Sequence, residues 1–215
     1  MADAIPQWFN ILAIVYQIVS FLVAGAISLL GYKAYKLIKE KKYLNFSIAF
    51  LFIMLSFVVL ALTNILVYLN LDEAVNKIFA IINWGFIAYA VFTIAGFFLL
   101  VVLTFKVKDI KIISILSLGI VVALIFLPSL IFLPFVKIFH IILLILALLL
   151  SYYFYKNCRE KKTANSKLVF CAFIAMMISH MFHLASGSSQ VVFVMGNTIL
   201  VLGYILLLVT LLRFK

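Results

Sequence analysis

The feature that most restricts this chain is its division into long apolar blocks, almost free of charge, separated by short basic segments. Each block provides the about 20 residues that cross a hydrocarbon core of about 30 Å. Hydrophobic residues make up 68% of the chain and charged ones 11%. Soluble domains hold roughly 45 to 50% and about 25%, and a water-soluble fold of this length could not hide the difference. Backbone groups in lipid must be hydrogen-bonded within their own segment, and the blocks lack the dyad alternation of barrel strands, so an all-α integral membrane fold is expected.

Seven spans are expected, at 8 to 32, 44 to 69, 78 to 105, 110 to 127, 135 to 155, 167 to 186 and 191 to 212. The fourth opens with Lys111 and stops at Pro128. Basic residues then set the orientation. The first connection carries Lys33, Lys36, Lys39, Lys41 and Lys42, the third Lys106, Lys108 and Lys111, and the fifth Lys156, Arg159, Lys161, Lys162 and Lys167. With Arg213 and Lys215 these are 15 of the 17 basic residues, and only Lys77 and Lys137 fall on the other side. Cationic loops stay in the cytoplasm, so the N-terminus is expected outside and the C-terminus inside, in a multi-pass protein of the cell membrane. The net charge of +11 is accordingly read as contact with anionic headgroups at the cytoplasmic face, not as a nucleic-acid surface. The opening Met1-Ala-Asp-Ala-Ile-Pro-Gln7 lacks a basic n-region, so the first block reads as a retained helix. Cys158 and Cys171 have no paired spacing and read as free thiols.

The chain resembles itself. Tyr35-Lys-Leu-Ile-Lys-Glu-Lys-Lys42 aligns with Tyr155-Lys-Asn-Cys-Arg-Glu-Lys-Lys162, Ala49-Phe to Ser56 with Ala172-Phe to Ser179, and Gly96-Phe with Gly203-Tyr. A parallel three-helix repeat is expected in one membrane domain, with repeat one at about 8–106, a linker helix at about 110–127 and repeat two at about 135–215. This plan of three, one and three helices resembles that of SWEET and PQ-loop transporters, and more loosely seven-helix receptors and sensor domains. The resemblance implies transport or reception of a small molecule. Pro6, Pro128 and Pro134 stand at helix ends or in a loop, where they do not match a mid-helix hinge, and no lysine in the last span suits a retinal Schiff base.

No Asp, Glu or Arg stands near the middle of a span, which argues against proton relays and gating charges. Neutral polar residues do enter, toward the outer side. Asn10, Gln17, Ala24 and Gly31 recur every seven residues on one stripe of the first helix, suited to close helix contact. A pocket or ligand site is expected from Gln17, Asn64, Asn83, Trp84, His140, His180, His183 and Asn197. His180 and His183 share a helix face, and His140 falls at the same depth. Their counterparts in the first half are Ser20, Phe57 and Leu60, so the histidines belong to one repeat only. Imidazole nitrogens could ligate a divalent metal through His140, His180 and His183, or hold a b-type haem. Hydrogen bonding to a small organic molecule is the other use of such a site.

The leading expectation is a non-enzymatic protein that binds or passes a small molecule through an outward-facing pocket. A haem- or metal-binding redox or sensory subunit and a structural subunit of a larger membrane complex are the alternatives. Phe92, Phe97 and Phe98 offer a face for lipid, a second copy or another membrane protein.

Overall fold

The computed structural model describes residues 7–70, 75–105, 132–186 and 189–213. These form six helices: α1 (Gln7–Ile38), α2 (Lys41–Leu69), α3 (Val75–Phe105), α4 (Phe132–Lys161), α5 (Ala164–Ala185) and α6 (Gln190–Leu212). Each is long and apolar enough to cross a membrane. The expected count of seven is thus corrected to six among the described residues. The extra span, 110 to 127, lies outside them, and the spans expected fifth to seventh are α4, α5 and α6. Apolar length, and the need for a linker between two three-helix units of the same direction, made the case for that block, and neither by itself establishes a helix.

The contacts fix the direction of every helix. Gln17 meets Asn64 and Ser28 meets Ser47, so α2 returns along α1. Phe57 meets Tyr89 while Phe52 meets Phe92, so α3 reverses again. Phe86 then touches Phe135 and Phe105 touches Tyr153, contacts that advance together along both chains. Helices α3 and α4 therefore run parallel, and the end of α3 lies at the opposite end of the bundle from the start of α4. Helix α5 returns along α4 through His140 with His183 and Tyr155 with Phe170. Helix α6 returns along α5, with Gly196 beside His183 and Gly203 beside Ala172. The bundle closes where Tyr16 of α1 hydrogen-bonds Thr198 of α6 at 2.6 Å.

One end of this bundle is strongly basic. It carries Lys33, Lys36, Lys39, Lys41, Lys42, Lys156, Arg159, Lys161, Lys162, Lys167 and Arg213, against Lys77 and Lys137 at the other among the described residues. The reversals there are tight. Two residues, Lys39 and Glu40, link α1 to α2, and Lys162 and Thr163 link α4 to α5. Lys39 and Lys162 take positive φ, 62° and 53°, the left-handed conformation that ends many helices. Thr163 then caps α5 by accepting from the Ser166 amide at 3.2 Å.

Close approach of backbones, not amphipathic segregation, holds the helices together, as expected where lipid is as apolar as the core. A Cβ on Gly96 would come 2.8 Å from the Ala49 carbonyl oxygen and 2.6 Å from Ile53; on Gly203 it would come 3.0 Å from the Ala172 carbonyl and from Met176. These are the positions that the internal alignment pairs. The crossing between halves shows the same correspondence: Phe57 meets Tyr204 edge-on at 6.1 Å, and its counterpart His180 meets Phe97, the counterpart of Tyr204, edge-on at 6.1 Å. On α1 the seven-residue stripe faces inward, with Gln17, Ala24 and Gly31 buried. Gly31 lets Ser28 and Ser47 exchange hydrogen bonds with each other's carbonyls at 2.9 and 2.8 Å. Large apolar side chains such as Leu29, Leu62 and Leu148 remain on the outside.

Candidate functional site

Helix geometry brings the three histidines together. His180 and His183 sit three apart on the inward face of α5, and both are buried. His140 approaches from α4, following Phe139, whose ring is fully buried in the core. The His140 ring stacks on His183 with centroids 4.7 Å apart and planes at 17°; it lies 5.7 Å from His180, and His180 lies 6.4 Å from His183. Phe193 packs edge-on against His183 at 5.2 Å and Phe97 against His180. Gly196 makes room for the His183 ring, since a Cβ there would come 3.1 Å from Cε1.

Nδ1 of His140, Nδ1 and Nε2 of His180 and Nδ1 of His183 are buried with no hydrogen-bond partner among the described residues. The Ser179 hydroxyl beside them is in the same state. Each such group costs about 1 to 3 kcal/mol if nothing else satisfies it. The cluster lies at the end of the bundle opposite the basic residues. Among the described residues the only carboxylates, Glu40 and Glu160, are at the basic end. The histidines therefore meet no acid that would balance a bound cation.

Two metal-related expectations meet specific geometry. Among the described residues no group of three or more His, Cys, Asp or Glu side chains stands ready to hold a metal ion. A haem between His140 and His180 would need an open gap at both rings, and His140 is instead covered by His183 at 4.7 Å.

The other expected site residues separate. Gln17 and Asn64 form their own pair, with Asn64 Nδ2 donating to Gln17 Oε1 at 3.1 Å. Gln17 also lines a groove of about 200 Å³ walled by Phe21, Phe57 and Leu62. Asn197 turns back on its helix, Nδ2 donating to the Phe193 carbonyl at 3.1 Å. Asn83 is half-buried, and Trp84 is 66% exposed on the outer surface of α3. Sequence reasoning missed Phe97 and Phe193 as walls of the histidine cluster and Gly196 as the residue that admits it. The Gly196-Asn197 pair was a signal for the last, because a small residue beside a polar one marks close helix contact.

No family model matches the chain, and no curated protein or solved structure matches it either. The six apolar helices define the class: this is a multi-pass helical membrane protein.

Proposed function

We propose that this protein binds a small, uncharged, hydrogen-bonding molecule at the His140, His180 and His183 cluster, with the basic end of the bundle in the cytoplasm and the cluster toward the outside. The observation that carries this reading is the set of four buried imidazole nitrogens without partners among the described residues, gathered from two helices inside one aromatic enclosure. Donors and acceptors on a ligand would satisfy them, and the lack of a nearby described carboxylate disfavours a cation. Two three-helix units in the same direction make up the scaffold, and only the second has acquired the histidines. Such an arrangement suits a receptor or a carrier.

The test is a thermal-shift screen of the detergent-purified protein against small neutral heterocycles and amides, with Zn²⁺ and Ni²⁺ as separate arms. A hit should stabilise the wild type and lose its effect in His140→Phe with His183→Phe. Stabilisation by the metals alone would replace the organic ligand with a metal ion. Hits that act equally on the double variant would show that the histidines are structural. The orientation is checked separately with a membrane-impermeant thiol reagent on intact cells, in a background lacking Cys158 and Cys171. Lys77→Cys should label, and Lys161→Cys should not.

A further inference from the structure

At the basic end of α4, Tyr152, Tyr155, Lys156, Arg159 and Glu160 line a cavity of about 420 Å³. The same five positions recur 120 residues earlier, at the end of α1, as Tyr32, Tyr35, Lys36, Lys39 and Glu40. Lysine for arginine is the one difference. In both places a cation lies over a tyrosine ring: Arg159 is 5.9 Å from the centroid of Tyr155, and Lys36 Nζ is 5.0 Å from that of Tyr32.

We propose that Tyr152, Tyr155, Lys156 and Arg159 hold the phosphodiester headgroup of an anionic membrane phospholipid, and that Tyr32, Tyr35, Lys36 and Lys39 form a second such cradle in the other half. The proposal rests on the reading that this end faces the cytoplasmic leaflet. The guanidinium offers a planar fork that matches phosphate oxygens, and the lysine adds a point charge. Tyrosine belongs at this depth, with its ring in the interface and its hydroxyl toward headgroups. Tyr155 is held by Phe170 of α5, ring centroids 5.6 Å apart, so the cradle is built before a lipid arrives.

Below the cavity, Ile141, Ile145 and Leu148 continue the exposed stripe of Tyr152 and Tyr155 along α4. Acyl chains attached to the bound phosphate would lie along it, which a free phosphate ester could not do. Glu160 sets the charge. Against Lys156 and Arg159 it leaves the lining singly positive, which suits a phosphodiester monoanion better than a dianionic phosphomonoester. At the other cradle Glu40 is drawn into an ion pair with Lys42.

Native mass spectrometry of the full chain released from detergent, titrated with dioleoyl-phosphatidylglycerol, dioleoyl-phosphatidylcholine or soluble glycerol 3-phosphate, tests this. Up to two phosphatidylglycerol adducts are expected, about fivefold more abundant than those of phosphatidylcholine. Lys156→Gln with Arg159→Gln should remove one adduct, and Lys36→Gln with Lys39→Gln the other. Arg159→Lys, which reproduces the residue of the first half, should keep both. Equal adducts with the two lipids, or adducts unchanged by both double substitutions, would overturn the proposal. Binding of glycerol 3-phosphate as strong as that of the lipid would overturn it in favour of a soluble phosphate site. None of these outcomes depends on the histidine cluster, so failure here and failure of the ligand reading there are distinguishable.

Discussion

The ring of His140 lies nearly parallel to that of His183, 4.7 Å away, although the two residues come from different helices and neither Nδ1 has a hydrogen-bond partner among the described residues. Stacking and hydrogen bonding are therefore separable at this site. His140→Phe keeps an aromatic ring on His183 and removes both nitrogens. Its stability should stay within about 1.5 kcal/mol of wild type, because the slightly larger ring keeps the stacking contact and leaves no buried nitrogen unpaired, while ligand-induced stabilisation disappears. His140→Ala should cost about 2 to 4 kcal/mol through the lost ring and the space left behind. Thermal unfolding of both in one detergent compares them, and a His140→Phe as unstable as His140→Ala would mean that the nitrogens themselves hold the fold.

Gly96 and Gly203 make equivalent contacts of unequal tightness. An added methyl at Gly96 meets Ile53 and a carbonyl oxygen inside 3.0 Å, whereas at Gly203 the same groups stand at 3.0 Å and one is a flexible methionine. Gly96→Ala should lose about 2 to 3 kcal/mol and Gly203→Ala about 1 kcal/mol. The midpoint of thermal aggregation in detergent measures the order. Equal losses would show that the neighbours relax alike.

The parallel course of α3 and α4 is checked by cross-linking. With Cys158 and Cys171 replaced by serine, Phe105→Cys with Tyr153→Cys should join under mild oxidation or with a short bismaleimide, because the native rings are 5.6 Å apart. Phe105→Cys with Phe135→Cys should not, as these lie at opposite ends of the bundle. A product from the second pair, read as a mobility shift in denaturing gels, would reverse the helix direction.

Much of the fold could be read from periodicity and charge. Block length located α2, α3, α5 and α6 to within three residues at each end but stopped α1 and α4 six residues short, where the helices run on into the basic segments, and the seven-residue stripe of α1 found the buried face of Gln17, Ala24 and Gly31. Depth along each helix also placed His140 level with His180 and His183. Which way a polar residue turns was not legible in the same manner. Asn197 satisfies itself on its own helix, an option open to any Asn, Ser or Thr four residues after a free carbonyl orientation. Trp84 faces outward because an apolar solvent removes the penalty that would bury it in a soluble protein. In a membrane, apolarity marks a helix without marking its inner face, and only small residues and paired polar groups reveal that face. The block expected as a span at 110 to 127 lies outside the described residues.

The two-residue links from α1 to α2 and from α4 to α5 bear on how the chain is made. So short a loop adds almost nothing to the entropy of bringing two helices together. Each helical hairpin can thus close as soon as its second helix leaves the ribosome, without waiting for the rest of the protein. The contact between Tyr16 and Thr198, 182 residues apart, can form only after α6 has been made. Assembly therefore proceeds from local hairpins to the joining of two halves, and the histidines of α4 and α5 meet one another before Phe193 and Gly196 of α6 arrive to enclose them.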